Sequence, residues 1–376
     1  MGNWEELPYD LIVLIAKRFK LLRDFIPFSS VCTSWRIAAT NEIYKVPPVP
    51  QVPLLMLADK DDDYREFYSL SEDVQVSSII YLPEARKAEC YSTKGWLCTI
   101  SYTIDGEMNL LHPFSRTQIP LPPEKNLWAL QDIGPVEKRV IYHCVDKAVL
   151  SASPSVTSDY VLLVSYYAGV NDLAFWRPGD LNWNHIDKKW GAVSDINYYD
   201  GQFYVVGYDG GVWVFDIAGP NEPHPIVEPR LLFQLEDDMF KQPGMEFYLV
   251  EVSGALLLVG RFSHGDGCQT FKFKVVELDV VKGEIRTNLG DSAIFLGSNE
   301  VISVDASKCA GVKPNHIYFT DDWEERFNDL EGGGGGRDMG AYNLEDGKIE
   351  SFYPGLSLSP ICPPTWITPL FFPIKS

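Results

Sequence analysis

The feature that most constrains the fold is a strand–turn–strand unit that recurs six times between residues 66 and 352. In each copy an apolar or aromatic strand runs into a tight turn and a second short strand. One residue marks each copy: Phe67, Leu111, Phe175, Val214, Val276 and Tyr342. The gaps between successive markers are 44, 64, 39, 62 and 66 residues. The shorter gaps fit one four-stranded blade, and the longer gaps fit a blade with inserted loops, so the repeat predicts a mainly β protein with a β-propeller. A pair of stacked β-sandwiches is the alternative, although it would lack the repeated unit.

The two ends of the repeat region carry segments that could close a propeller ring. Residues 54–57 read Leu-Leu-Met-Leu, and residues 365–368 read Thr-Trp-Ile-Thr. Both are short apolar or β-branched runs that suit strands. We therefore expect the last segment to pair with the first in one blade.

Residues 4–42 have a different, helical pattern. Apolar side chains recur there at spacings of three and four, as on one face of an amphipathic helix: Leu7, Leu11, Leu14, Ile15, Phe19 and Leu22. Asp24 is a plausible N-cap for a second helix, with Pro27 in its first turn. Two or three short helices cannot bury all of this apolar surface among themselves. The pattern predicts a small all-α unit with an apolar face that another surface covers.

Four prolines follow this helical region within seven residues, at Pro47, Pro48, Pro50 and Pro53. Such a run favours an extended, semi-rigid backbone. We therefore predict a helical domain over residues 1–45, a proline-rich linker over 46–53 and the β-propeller over 54–376.

Composition excludes several partners and chemistries. The chain has 32 Lys and Arg against 52 Asp and Glu, a net charge of −20, which disfavours binding to nucleic acid or to an anionic membrane. Its seven cysteines are scattered without a CxxC pair, which indicates neither a disulfide framework nor a zinc site. Only a short apolar stretch follows Trp4-Glu5-Glu6, unlike a signal peptide, and we expect a nuclear or cytoplasmic protein.

Few residue clusters indicate catalysis or metal binding. His264-Gly-Asp-Gly-Cys268 could hold a Cys–His nucleophile, but its two glycines favour a hairpin turn. Asp321-Asp-Trp-Glu-Glu325 could bind calcium, but it runs into five glycines, and we interpret it as an acidic, solvated loop. Four tryptophans could line a recognition surface, although packing between blades is the favoured role for most of them: Trp176, Trp183, Trp190 and Trp213. We expect no catalytic residue, no metal and no cofactor.

Two sets of motifs resemble a known family. Residues 4–12, with Leu7-Pro8, and residues 24–36, ending in Val31-Cys-Thr-Ser-Trp-Arg36, look like an F-box. The body resembles the KIB-type, F-box-associated propeller of a large plant family. The matching segments are 95–97, 111–114 with 119–122, 173–179, 289–297, 317–322, 343–347 and 366–369.

The resemblance implies a substrate-recognition subunit of an SCF (SKP–cullin–F-box) ubiquitin ligase. In that family the F-box packs on a SKP-type adaptor, which connects it to cullin, and the propeller binds the protein to be ubiquitinated. Carried over to this chain, the adaptor contacts are Leu7, Pro8, Leu11, Ile12, Ile15, Phe28, Val31, Cys32 and Trp35. The chain itself would be non-catalytic, and its client is not identified by the sequence. The alternatives are a propeller hydrolase with carboxylates at the central channel, and an F-box scaffold that assembles no ligase.

Overall fold

The computed structural model describes residues 7–19, 28, 31–43, 52–70, 78–103, 105–129, 144–167, 171–219, 228–235, 245–264, 269–278, 283–322 and 334–369. Within this part of the chain, helices α1 (Tyr9–Ala16) and α2 (Thr33–Ile43) precede all the strands, and a short α3 (Lys125–Ala129) follows the second sheet. The strands form six sheets, which we number as blades 1 to 6 in chain order.

Blades 1 to 3 each contain four strands. Blade 1 consists of β1 (Leu54–Met56), β2 (Tyr64–Ser69), β3 (Ser78–Tyr81) and the last strand, β25 (Thr365–Ile367). Blade 2 consists of β4 (Ala88–Thr93), β5 (Trp96–Ser101), β6 (Met108–Leu111) and β7 (Gln118–Pro120). Blade 3 consists of β8 (Val145–Leu150), β9 (Leu162–Tyr167), β10 (Asn171–Trp176) and β11 (Asn184–His185).

Blades 4 and 5 repeat this four-stranded plan, and blade 6 has five strands. Blade 4 consists of β12 (Val193–Tyr199), β13 (Gln202–Gly207), β14 (Gly211–Phe215) and β15 (Arg230–Gln234). Blade 5 consists of β16 (Met245–Val252), β17 (Ala255–Ser263), β18 (Thr270–Leu278) and β19 (Gly283–Arg286). Blade 6 consists of β20 (Ser292–Leu296), β21 (Ile302–Asp305), β22 (His316–Phe319), β23 (Gly340–Asn343) and β24 (Ile349–Glu350).

Every pair of neighbouring blades has its own apolar core. Six clusters of buried side chains lie one at each interface, from blades 1 and 2 round to blades 6 and 1. Strands such as β5 and β16 are buried along almost their whole length because each blade packs against a neighbour on both faces. The predicted β-propeller is therefore confirmed, with six blades, and the sandwich alternative is wrong. The four tryptophans that begin at Trp176 lie in or against these cores, as predicted.

The ring closes through its two ends. β25 pairs antiparallel with β1, with Leu54 opposite Ile367, Leu55 opposite Trp366 and Met56 opposite Thr365. β25 is the innermost strand of blade 1 and lies next to β4, the innermost strand of blade 2. The predicted pairing of the first and last segments is confirmed.

The repeat markers occupy matching places in five blades. Counted from the axis, the first five markers lie on the third strand of blades 1 to 5, while Tyr342 lies on β23 of blade 6. Blade 6 differs because β20 pairs parallel with β22, and the hairpin strand β21 lies inside β20. This additional hairpin, together with residues 323–333, accounts for the longest gap between markers.

A buried charged cluster lies beside the closing strand. The Arg65 guanidinium donates from Nη2 to the Ala85 carbonyl at 2.6 Å, and its Nη1 is 3.4 Å from Asp59 Oδ1. Two buried thiols, Cys90 on β4 and Cys362 just before β25, lie beside Arg65. The hydrogen bond with Cys90, and secondarily the Arg65 charge, lowers the pKa of Cys362 to about 7, although burial opposes this. The same hydrogen bond and burial raise the pKa of Cys90 well above its ordinary value.

The domain boundary stays a prediction, since residues 44–51 lie outside the described residues. So do Asp24 and Pro27, the predicted start of the second F-box helix. Among the described residues, no helix is both long and apolar enough to cross a membrane.

Candidate functional site

The head, residues 7–43, has an apolar core of its own. α1 begins after Pro8, whose carbonyl accepts the Leu11 and Ile12 N–H groups at 2.9 and 3.2 Å. Ile12 and Ala16, one helical turn apart, face inward. They pack with Phe28, Trp35, Ala38 and Ala39. The members of this cluster all come from the head, and none comes from a blade.

The nine predicted adaptor contacts separate into three groups. Ile12, Phe28 and Trp35 are interior, with the Phe28 ring 4.6 Å from the Trp35 ring. Three are half-buried around that core: Leu7, Ile15 and Cys32. Three are exposed: Pro8, Leu11 and Val31. The interior group belongs to the core of the head, so only the other two groups have surface that a partner could contact.

Four large aliphatic side chains lie on the outside of the head: Leu11, Leu14, Val31 and Ile37. Their exposed fractions range from 42% to 56%. We call this set the outer apolar face. Leu11 and Leu14 are three residues apart on α1 and therefore share one side of the helix. Leu14 and Ile37 were not among the predicted contacts. Leu14 belonged to the recognised apolar stripe, whereas Ile37 carried no signal in the sequence.

A buried ion pair joins the innermost strands of blades 3 and 4. Lys147 on β8 lies 3.0 Å from Asp195 Oδ1 on β12 and donates to the Gly297 carbonyl of blade 6 at 3.3 Å. Blades 3 and 6 lie opposite each other in a six-bladed ring, so this contact spans the axis. The Asp195 carboxylate also accepts the Leu249 N–H at 2.8 Å. Burial raises the pKa of Asp195, although the Lys147 charge opposes this effect.

The loop from Gly297 to Val301 makes further contacts across the ring. Glu300 accepts hydrogen bonds from Thr93 Oγ1 and the Lys94 N–H at 2.9 and 3.2 Å, and it forms an ion pair with the Lys94 ammonium. The loop thus reaches from blade 6 to blade 2. Together with the Lys147–Gly297 contact, this loop places protein atoms across the axis of the ring.

A second charged cluster surrounds Arg261, a buried residue on β17. Its guanidinium lies 2.9 Å from Asp322 Oδ1 and 2.9 Å from Asp338 Oδ2, and its Nε donates to Thr270 Oγ1 at 2.7 Å. Burial opposes the charged form, but Tyr248, Asp322 and further carboxylates hold the pKa of Arg261 above its ordinary value. Arg261 therefore fixes both ends of the chain between residues 322 and 338 to blade 5.

The prediction of a solvated acidic loop is wrong for Asp321 and Asp322, which are both bound within the fold. Asp322 is bound by Arg261, and Asp321 Oδ2 accepts the N–H groups of Gly336, Arg337 and Asp338 at 2.6, 2.6 and 3.1 Å. Burial raises the pKa of Asp321. The sequence interpretation failed because Arg261 is distant in the chain. The rest of the acidic run, from residue 323 to 325, lies outside the described residues.

Tyr248 brings two of these acids together. Its hydroxyl lies 2.8 Å from Glu246 Oε2 and 2.9 Å from Asp322 Oδ2, and a phenol can donate only one hydrogen at a time. Burial, followed by Asp322 and Glu246, raises the pKa of Tyr248 well above its ordinary value. Paired acids of this kind are what the hydrolase alternative requires. Here, however, Asp322 forms an ion pair with Arg261, and the two acids belong to an ion network that joins blades 5 and 6.

The remaining candidates for catalysis or metal binding are the His264–Cys268 segment and groups of metal-binding side chains. His264 donates its backbone N–H to the Gln269 carbonyl at 3.0 Å between the hairpin strands β17 and β18, as the turn prediction required. Its ring stacks on Phe271 at 4.8 Å, while Cys268 lies outside the described residues. No group of three or more metal-binding side chains occurs in the described part of the chain.

One end of the propeller carries three tyrosines in equivalent positions. Tyr102, Tyr167 and Tyr208 lie at the ends of the second strands of blades 2, 3 and 4. Each donates its backbone N–H to the residue just before the first strand of its blade: to Lys87 at 3.0 Å, Cys144 at 2.6 Å and Ala192 at 3.0 Å. We call the surface formed by these three tyrosines the tyrosine face.

The fold and these sites define a class: a six-bladed β-propeller that follows a small helical head with an exposed apolar face. The KIB1-4 β-propeller family model matches residues 67–343, and the chain belongs to this family. Two curated proteins of Arabidopsis thaliana are similar over nearly the whole chain. "Probable F-box protein At4g22060" is 24% identical, with 98% of this chain and 97% of that protein aligned. "F-box protein SKIP23" is also 24% identical, with 98% and 96% aligned. The predicted resemblance to plant F-box proteins with a KIB-type propeller is confirmed.

Solved structures are more distant. The β-propeller domain of Myceliophteria thermophila Cps50 (Swd1) aligns over 80% of this chain and 80% of that chain, at 11% identity and a TM-score of 0.38. A likeness at this level says nothing about function.

Proposed function

We propose that the chain is the substrate-recognition subunit of an SCF-type ubiquitin ligase. The head would bind a SKP-type adaptor and through it cullin, while the propeller would bind a client protein. Ubiquitin transfer would take place on partner subunits, and this chain would contribute proximity and orientation. The F-box names of the full-length relatives support this role.

The observation that carries the proposal is the outer apolar face of the head. The described residues of the head form an internal core, and yet four large aliphatic side chains remain exposed. Four exposed aliphatic groups on so small a unit are typical of an interface. We therefore propose that Pro8, Leu11, Leu14, Val31 and Ile37 contact the adaptor directly. Leu7, Ile15 and Cys32 would support the edge of that contact.

Co-expression with a SKP-type adaptor and affinity purification tests the assignment. Burial of one Leu or Val side chain contributes roughly 1.5–3 kcal/mol, so the double variant Leu11→Ser/Val31→Ser should lose at least tenfold in affinity. Leu181→Ser is the matched control, because Leu181 is 90% exposed on blade 3 and far along the chain from the head. Both variants should keep the far-ultraviolet circular dichroism spectrum of the parent. Undiminished recovery of the adaptor by the double variant would refute the assignment.

Adding cullin to the purified pair separates a ligase subunit from a scaffold. Retention of cullin supports the ligase role, whereas a stable pair that excludes cullin supports the scaffold alternative. We further propose that the protein acts in the nucleus or cytoplasm, which imaging of a fluorescent fusion would test. Proximity labelling with and without proteasome inhibition would identify the client.

A further inference from the structure

The tyrosine face repeats one feature three times in consecutive blades. Tyr102, Tyr167 and Tyr208 are 38%, 49% and 42% exposed, although most aromatic side chains of these blades are buried. Their backbone hydrogen bonds place them at the same level of the ring. Exposed aromatic rings that recur in register over three neighbouring blades form a surface suited to contact with a partner.

Carboxylates lie on the same end of the propeller. Glu89, Asp146 and Glu246 are each the second residue of an innermost strand, in blades 2, 3 and 5; Asp146 is exposed, whereas Glu89 and Glu246 are buried. The first strand of a blade starts at the end where the second strand finishes, so these acids share the level of the tyrosines. Asp322 and Asp338 join them from blade 6 through Arg261, which offsets one of the negative charges.

The surroundings of Tyr208 connect the rings with the acids. Its pKa is raised, first because its hydroxyl is withdrawn from water and then because Glu246, Asp146 and Asp322 lie around it. The Tyr208 hydroxyl therefore lies near carboxylates of blades 3, 5 and 6, while the side chain as a whole is 42% exposed. At Tyr208, an exposed aromatic side chain and acidic groups therefore adjoin.

We propose that the tyrosine face binds an arginine- and lysine-rich segment of the client protein. The inference rests on the proposed function and assigns the client side of it. Aromatic faces attract guanidinium and ammonium groups, and the exposed Asp146 carboxylate adds charge complementarity. Nucleic acid and a second copy of this chain are poor occupants, because phosphates and a net charge of −20 are both repelled by the acids.

Fluorescence anisotropy with a labelled peptide tests the proposal on the full chain. The probe is a twelve-residue peptide of alternating Arg and Ser, and the comparison peptide has Glu in place of Arg. Each exposed cation–aromatic contact changes affinity by about two- to fivefold, so Tyr167→Ser/Tyr208→Ser should weaken binding of the Arg peptide by roughly 5- to 20-fold. Asp146→Asn should weaken it by about threefold and reduce its dependence on salt.

Tyr64→Ser is the matched control, since Tyr64 is 52% exposed on the outer part of blade 1. Unchanged affinity in this variant, and no binding of the Glu peptide, support the proposal. Equal losses in Tyr64→Ser and the double variant would mean diffuse attraction to an acidic protein and would overturn it. Undiminished affinity in the double variant would also overturn it.

Adaptor binding by the same tyrosine variants separates this inference from the proposed function. The variants should recover the adaptor as well as the parent does, because the outer apolar face is intact. Adaptor recovery without any binding of the Arg peptide would overturn only the inference. Site-specific peptide binding by a chain that recovers no adaptor would overturn only the ligase assignment.

Discussion

Trp366 on the closing strand offers the most direct perturbation of the ring. Its indole is fully buried at the interface between blades 6 and 1, with ring centroids 4.8 Å from Phe295, 5.2 Å from Phe352 and 6.2 Å from Tyr318. Trp366→Ala removes the indole but leaves the backbone pairing of β25 with β1 intact. The change therefore isolates side-chain packing at the closure.

Truncation of a buried Trp to Ala typically costs about 3–5 kcal/mol, through lost transfer free energy and a residual cavity. Trp366 should lie in the upper part of that range, because its three aromatic neighbours limit how far the site can collapse. A folded protein has about 5–15 kcal/mol of stability in total. The variant should thus unfold at a clearly lower denaturant concentration.

Equilibrium unfolding in urea, followed by far-ultraviolet circular dichroism, measures the effect without relying on tryptophan fluorescence. Leu356→Ala is the control from the same C-terminal segment, since Leu356 is 79% exposed and should change stability by less than about 0.5 kcal/mol. Deletion of residues 365–376 should abolish the cooperative transition. A loss below about 1 kcal/mol for Trp366→Ala, or an unchanged transition in the deletion, would refute the account of ring closure.

Three further predictions concern the buried polar groups. Lys147→Met should lower the free energy of unfolding by about 3–5 kcal/mol because it leaves Asp195 unpaired. The double variant Lys147→Met/Asp195→Leu should recover most of this loss. A double-mutant cycle that shows no coupling between the two positions would contradict the ion pair. Arg261→Met should lower the free energy of unfolding, measured in urea, by a similar amount because several carboxylates lose their counterion. An unchanged free energy of unfolding would show that the network does not stabilise the fold. The Cys362 pKa of about 7 lies below its ordinary value near 9, so the ionised thiol stabilises the fold above pH 9 and this contribution is lost as pH falls to 7. Parent stability should therefore rise relative to Cys362→Ser between pH 7 and pH 9, and parallel profiles would contradict the shift.

The blades were predictable because each carries a local signal. A strand such as β10, Asn171–Trp176, reads as apolar and aromatic and leads into a turn, and the same pattern recurs at blade-sized gaps. The closing strand was predictable for the same reason, since residues 365–368 form an isolated apolar run. The parallel pair of β20 and β22 was not predictable, because the order of strands within a blade produces no periodic pattern in a single sequence.

The sites were harder to predict because their residues come from distant parts of the chain. Arg261, Asp322 and Asp338 meet only after blades 5 and 6 are in place, and the sequence alone presented Asp322 as part of an acidic loop. In the head, the leucine stripe indicated helix but not which side would face inward. The structure buries Ile12 and leaves Leu11 and Leu14 outside, so the helix has more apolar surface than its own core uses.

Hydrogen–deuterium exchange of the full chain, with and without the SKP-type adaptor, tests the central claim most directly. The claim is that the outer apolar face of the head is the adaptor site and that the propeller is left available for a client. The account predicts strong protection confined to peptides that cover residues 7–43. Protection that appears instead on the blades, or no change anywhere at saturating adaptor, would contradict it.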